Sequence, residues 1–145
     1  MPGITVGVDG SDHSRRALEW AVKEAGVRGV PLTVLAVHQV AGSHWTGHPV
    51  TYPADQPATE AVRKAAEEAV QKAVDAAGSP GPASVTVRAV SGLPAQELID
   101  ASADSDLVVV GSRGGGGFAK LMLGSVSSQV VSHSSCPVVV IPADR

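Results

Sequence analysis

A chain of 145 residues suits one domain, expected here over residues 1–145, with a core that needs neither disulfides nor metal. Hydrophobic residues make up 43% and aromatics only 3%, so valine and alanine must fill that core, and a net charge of −3 argues against the concentrated basic patch of a nucleic-acid binder. No apolar run approaches the ~20 residues that span a bilayer, so no membrane partner is expected. The start MPGITVGVDG has neither the basic nor the long apolar region of a signal peptide. Cys136 is the sole cysteine, and a cytoplasmic location is the resulting expectation.

In chain order, Ile4 to Asp9 reads as a first strand. Gly10 and Ser11 turn the chain, and Ser11 or Ser14 is placed to cap a helix from about Asp12 to Val27. Ala17, Leu18, Ala21 and Ala25 recur at helical spacing on it, with Trp20 beside them. Gly26 and Gly29 loosen its end and Pro31 bounds it. Leu32 to His38 is the second strand. Residues 41–57, rich in proline and glycine, read as a long loop, mobile and near a pocket rim. A helix is expected from Thr59 to Ala77, burying Ala58, Val62, Ala65, Ala66, Ala69, Ala73 and Ala77. The third strand is Val85 to Val90, followed by a Gly92-Leu93-Pro94 turn and a short helix from Ala95 to Ala103 with Leu98, Ile99 and Ala101 inward. Asp106 to Val110 is a fourth strand, Val126 to Val131 begins a last helix, and Cys136 to Ile141 is a fifth strand. Alternation of strand and helix throughout implies a parallel sheet covered on both faces. Its ligands belong beyond the C-terminal strand ends, where strand order switches.

One stretch concentrates the chemistry. Residues 111–127 read GSRGGGGFAKLMLGSVS, between the fourth strand and the last helix. Glycine admits close backbone approach, and a helix start supplies unpaired N–H donors and a favourable dipole, which together make a phosphate cradle. The P-loop string G-x-x-x-x-G-K-[ST] is absent, and the nearest dinucleotide fingerprint, on Gly114, Gly116 and Ala119, falls late in the chain within a glycine run. The spacing present is G-x2-G-x9-G-S, on Gly111, Gly114, Gly124 and Ser125.

That spacing resembles the nucleotide-binding pattern of the universal stress protein family, in its ATP-binding branch. VGVDGSDHS at the start, Gly92-Leu93-Pro94, and SSCPVVVIP at the end extend the resemblance over essentially the whole chain. It implies an open five-stranded parallel α/β sheet of order 3-2-1-4-5 with helices on both faces, Rossmann-like and of the adenine nucleotide alpha hydrolase type. It implies ATP, with Mg2+, bound between the end of the first strand and residues 111–127. The contacts it implies are Asp9, Val37 through its main chain, Gly111, Gly114, Gly124 and Ser125, and the residues beside them add Arg113, Val126 and Ser127 as expected contacts. It also implies a homodimer through the fifth strand, whose apolar run carries no charge between Cys136 and Pro142.

Several of these residues have a plainer reading. Asp9 can accept hydrogen bonds from a ribose or an adenine edge, or it can form an Asx turn with Gly10 and Ser11. Arg113 can pair with a phosphate or stay solvated, and Lys120 has the same two options. Ser125 and Ser127 can serve phosphate or simply cap the helix. His44 and His48 lie four apart in a loop with no cysteine or paired carboxylate, a poor set for zinc, and no metal ligand is expected from protein side chains. Cys136, before a proline, reads as a small buried hydrophobe. Two functions fit the scaffold: a small ATP-binding stress-response or regulatory protein with no catalytic residues, or an enzyme using an adenine nucleotide, such as a slow ATPase or a nucleotidyl transferase. Against the enzyme, VDGSDHS stands after the first strand where a pyrophosphatase-type S-G-G-x-D-S loop would stand.

Overall fold

The computed structural model describes residues 2–9, 12–39, 55–112 and 124–142. Its strands are β1 (Ile4–Val8), β2 (Leu32–Gln39), β3 (Val85–Gly92), β4 (Leu107–Gly111) and β5 (Val138–Ile141). Its helices are α1 (Asp12–Arg28), α2 (Asp55–Ala77), α3 (Pro94–Ser102) and α4 (Ser125–His133). The strands form one sheet in the order β3-β2-β1-β4-β5, and every pairing is parallel. The expected order 3-2-1-4-5 is the one observed.

Side-chain alternation divides the core in two. Ile4 and Val6, Leu32 and Val34, Leu107 and Val109 pack with Ala17, Leu18, Ala21, Val22 and Ala25 of α1 and with Val70 and Ala73 of α2. Leu35, Val108 and Val110 point the other way, onto Ala95 and Leu98 of α3 and Val130 of α4. Val108 and Val109 are both fully buried, so β4 is covered on both faces, as a β-branched run without alternation predicts. At Gly7 the second face comes very close. A Cβ there would lie 2.8 Å from Leu98 Cδ1, so the absence of a side chain lets α3 sit down on β1. The one polar side chain buried on β1, Thr5, is satisfied by Ser105, Oγ1 to Oγ at 2.7 Å.

The expected elements are all present, with shifted ends. The second helix-forming stretch corrects most. α2 starts at Asp55 rather than Thr59, so residues 55–57 belong to the helix and not to a loop. Pro57 is admissible there because first-turn N–H groups have no intrahelical acceptor. Residues 40–54, the rest of the expected loop, lie outside the described residues. The buried face of α2 is set by Ala66, Val70 and Ala73, while Ala65 is exposed and the side chain of Ala58 lies outside the described residues. Alanine occurs on more than one face of this helix, so its pattern alone places the buried stripe ambiguously.

β3 continues through Gly92, which leaves only Leu93 between it and Pro94, the first residue of α3. β5 begins at Val138, since the Pro137 ring removes a donor and only its carbonyl joins the ladder, accepting from Val108 N–H at 3.0 Å. Cys136 is half-buried rather than buried.

Candidate functional site

β1 and β2 pair from Ile4↔Leu32 to Val8↔Ala36, and β1 pairs β4 on its other side up to Val6↔Val109. Strand order therefore switches between β1 and β4, and by this register Asp9, Val37 and Gly111 stand at one edge of the sheet. Three adjacent strand ends span roughly 10 Å at the usual strand spacing. Asp9 is exposed just beyond β1, and its N–H donates to Ser14 Oγ at 3.2 Å. Ser14 thus ties the strand end to the third residue of α1 and is not the cap of that helix; Ser11 lies outside the described residues. Val37 is half-buried and packs against the second cluster. Leu32 N–H donates to the Ser84 carbonyl and Ile4 N–H to the Pro31 carbonyl, so by alternation the main-chain groups of Val37 face the β1 side rather than β3. Gly111 closes β4 opposite Ile141 of β5.

The second half of the glycine motif stands at the entrance of α4. Gly124 is its N-cap, in extended conformation (φ −71°, ψ 168°), and no side-chain hydrogen bond caps the helix. Neither serine is therefore a cap. Ser125 is the first helical residue and is exposed, Val126 is half-buried, and Ser127 is 2% exposed. An uncapped helix start leaves the N–H groups of Ser125, Val126 and Ser127 without intrahelical acceptors. They carry the positive end of the helix dipole, and no acidic residue stands in the first turn to oppose an anion.

The entrance of α4 is bound directly to the end of β4. Gly124 N–H donates to the Ser112 carbonyl at 2.7 Å, and Ser127 Oγ donates to the same carbonyl at 3.0 Å. Ser112 in turn donates its N–H to the Ile141 carbonyl at 2.8 Å, which anchors the junction on β5. The fold thus brings together Asp9, Val37, Gly111, Gly124, Ser125, Val126 and Ser127 at one sheet edge. Arg113, Gly114 and Lys120 lie outside the described residues. Ser112 is the residue that reading the chain did not single out. It stands inside the glycine stretch, but its role depends on three contacts, two to its carbonyl and one from its amide, made with residues farther along the chain, and no local pattern announces them. Arg16 was likewise unmarked, and its Nη1 donates to the Pro142 carbonyl at 2.8 Å, pinning the end of β5 to α1.

Among the described residues no group of three or more His, Cys, Asp or Glu side chains is arranged to hold a metal ion. Among the described residues no helix is long and apolar enough to cross a membrane.

A parallel sheet of order 3-2-1-4-5, with an uncapped helix start bound to the end of β4, defines an open α/β fold whose strand order switches between β1 and β4. Residues 2–142 match the sequence model of the Universal stress protein family, and the chain belongs to that family. A universal stress protein of Mycobacterium tuberculosis strain H37Rv is 38% identical over 144 residues, which cover 98% of this chain and 48% of that protein. The chain spans about half the length of the curated relatives it matches. Among solved structures, a universal stress protein in complex with cAMP superposes with a TM-score of 0.69 at 26% identity, covering 99% of this chain and 98% of its own. The universal stress protein from Archaeoglobus fulgidus in complex with dAMP superposes with a TM-score of 0.62, also at 26% identity, covering 97% and 98%. Structural homologues of this chain thus bind adenine nucleotides.

Proposed function

We propose that residues 1–145 form one ATP-binding domain of a small cytoplasmic stress-response or regulatory protein, without catalytic residues of its own. In this reading the base and ribose sit over the ends of β1 and β2, against the Asp9 carboxylate and the Val37 main chain. The phosphates sit against Gly111, Arg113, Gly114, Gly124, Ser125, Val126 and Ser127, with Mg2+ among their oxygens. The observation that carries the proposal is the apposition of the uncapped start of α4 and the end of β4, the strand that neighbours β1 in the sheet. It supplies clustered N–H donors for an anion at the one place where strand order switches. The cAMP and dAMP complexes of structural homologues support the adenine part. The triphosphate is read from the G-x2-G-x9-G-S spacing.

Calorimetric titration with ATP, ADP and AMP, with and without Mg2+, tests the assignment. Wild type is expected to prefer ATP. A Gly114→Val/Gly124→Val variant that keeps its circular dichroism spectrum is expected to lose about tenfold or more in ATP affinity, a change of ~1.4 kcal/mol. Unchanged affinity in that folded variant rules the cradle out. Nucleotide recovered as ATP from freshly purified, denatured protein supports the binding reading, whereas multiple turnovers to ADP would move the protein to the enzyme class. We further propose that two copies pair through the β5 edge.

A further inference from the structure

We propose that Ser127 is a positioning residue of this site and that its side chain is not a ligand of the phosphates; the inference rests on the nucleotide reading above. The residue is 2% exposed. Its hydroxyl donates to the Ser112 carbonyl at 3.0 Å and lies 3.1 Å from the Gly124 carbonyl. A serine hydroxyl has a single proton, and here both acceptors lie within the protein. The Gly124 carbonyl also accepts the first helical N–H, from Ser128 at 3.0 Å, so it belongs to the helix ladder and cannot turn outward to follow a ligand.

The Ser112 carbonyl is therefore held by two donors from the α4 entrance, the Gly124 N–H and the Ser127 hydroxyl. Its own amide is held by Ile141. The chain leaves β4 at this peptide and, after residues 113–123, returns to the same peptide. Ser127 is the second strut of that closure. It sets where the first-turn N–H groups of α4 stand relative to β4. Donors held in place before binding serve an anion better than donors that must be ordered by it. The hydroxyl left for a ligand is that of Ser125, exposed at the first helical position. The two serines of the turn thus divide the work: one faces solvent and the other fastens the scaffold.

The two roles separate in the ligand-free protein. Amide hydrogen exchange is measured by NMR at Gly124, with the Val109 amide of β4 as the reference for global opening. Ser127→Ala removes one atom and is expected to speed Gly124 exchange relative to Val109 about fivefold, the worth of one net hydrogen bond. Ser127→Thr, which keeps the hydroxyl, is expected to restore it; if its methyl does not fit, the alanine variant alone decides. With ATP titrated calorimetrically, Ser127→Ala is expected to bind more weakly than wild type. Ser125→Ala is expected to bind more weakly with Gly124 exchange unchanged. Unchanged Gly124 exchange in Ser127→Ala overturns the proposal, and combined with lost ATP affinity it makes Ser127 a direct ligand. Wild type that binds no nucleotide refutes the reading of the site, while the exchange ratio still decides whether Ser127 is the strut.

Discussion

Gly7 shows how one missing side chain sets the distance between two layers. Its would-be Cβ meets Leu98 Cδ1 at 2.8 Å and Cδ2 at 3.0 Å, and Leu98 is only 3% exposed, so the leucine has no room to swing away. Gly7→Ala is expected to destabilise the protein by about 1–3 kcal/mol, the usual cost of overpacking. Urea denaturation is the measurement. In a Leu98→Ala background the same change should cost little or nothing, because the clashing atoms are gone. A full cost in both backgrounds would show that the close approach is not the cause. The same fine placement separates Ser125 from Ser127: two residues apart on a helix, one is exposed and the other buried.

At the scale of elements, helix ends rest on local chemistry and on neighbours in different measure. α1 stops because Gly29 adopts φ +68° just beyond Arg28. A Cβ at Gly29 would meet nothing within 4 Å, so any cost of adding one is conformational rather than steric. Gly29→Ala is expected to lower stability by about 1–2 kcal/mol, and Gly29→Asn by less, since asparagine tolerates the left-handed region better. Thermal unfolding of the three proteins checks the ranking. Equal midpoints for alanine and asparagine would contradict it. α2 behaves differently. Its stripe of Ala66, Val70 and Ala73 is chosen by what lies beneath it on the sheet, because its many alanines leave the buried side open.

For the whole molecule, the sheet ends at β3 on one side and β5 on the other. On β5, Val138 and Val140 pack against one core cluster and Val139 and Ile141 against the other, so both faces of this edge strand are already used. What is left for a second copy is the outer backbone. Val108 N–H donates to the Pro137 carbonyl and Ser112 N–H to the Ile141 carbonyl. Residues 137, 139 and 141 therefore face β4, and the N–H groups of Val138 and Val140 point outward. A twofold partner would pair with those groups antiparallel, over a length bounded by Pro137 and Pro142. Light scattering should find a dimer in wild type and a monomer in Val140→Pro, which removes an outward donor and leaves the β4 ladder intact. A monomeric wild type at micromolar concentration, or a folded Val140→Pro variant that stays dimeric, refutes the β5 interface.

The amino-acid sequence by itself determined the kind and order of the elements, since β-branched runs, helical periodicity and proline–glycine stops act within a few residues of one another. The Val108–Val110 run, the Ala17–Ala25 stripe and, to within one residue, the start of α3 were legible for that reason. The glycine–serine spacing was equally legible, as was its place after a strand and before a helix. The strand order came through the resemblance to a family rather than from the residues, because pairing joins segments far apart in the chain. Only the tertiary structure decided that α2 reaches back to Asp55, that Ala65 faces solvent, and that Gly124 rather than a serine holds the N-cap position of α4 and leaves its start uncapped. It alone revealed Ser112 as the junction of β4, β5 and α4. Those outcomes depend on which carbonyl or side chain a distant segment brings within hydrogen-bond or packing distance, and no local pattern carries that information.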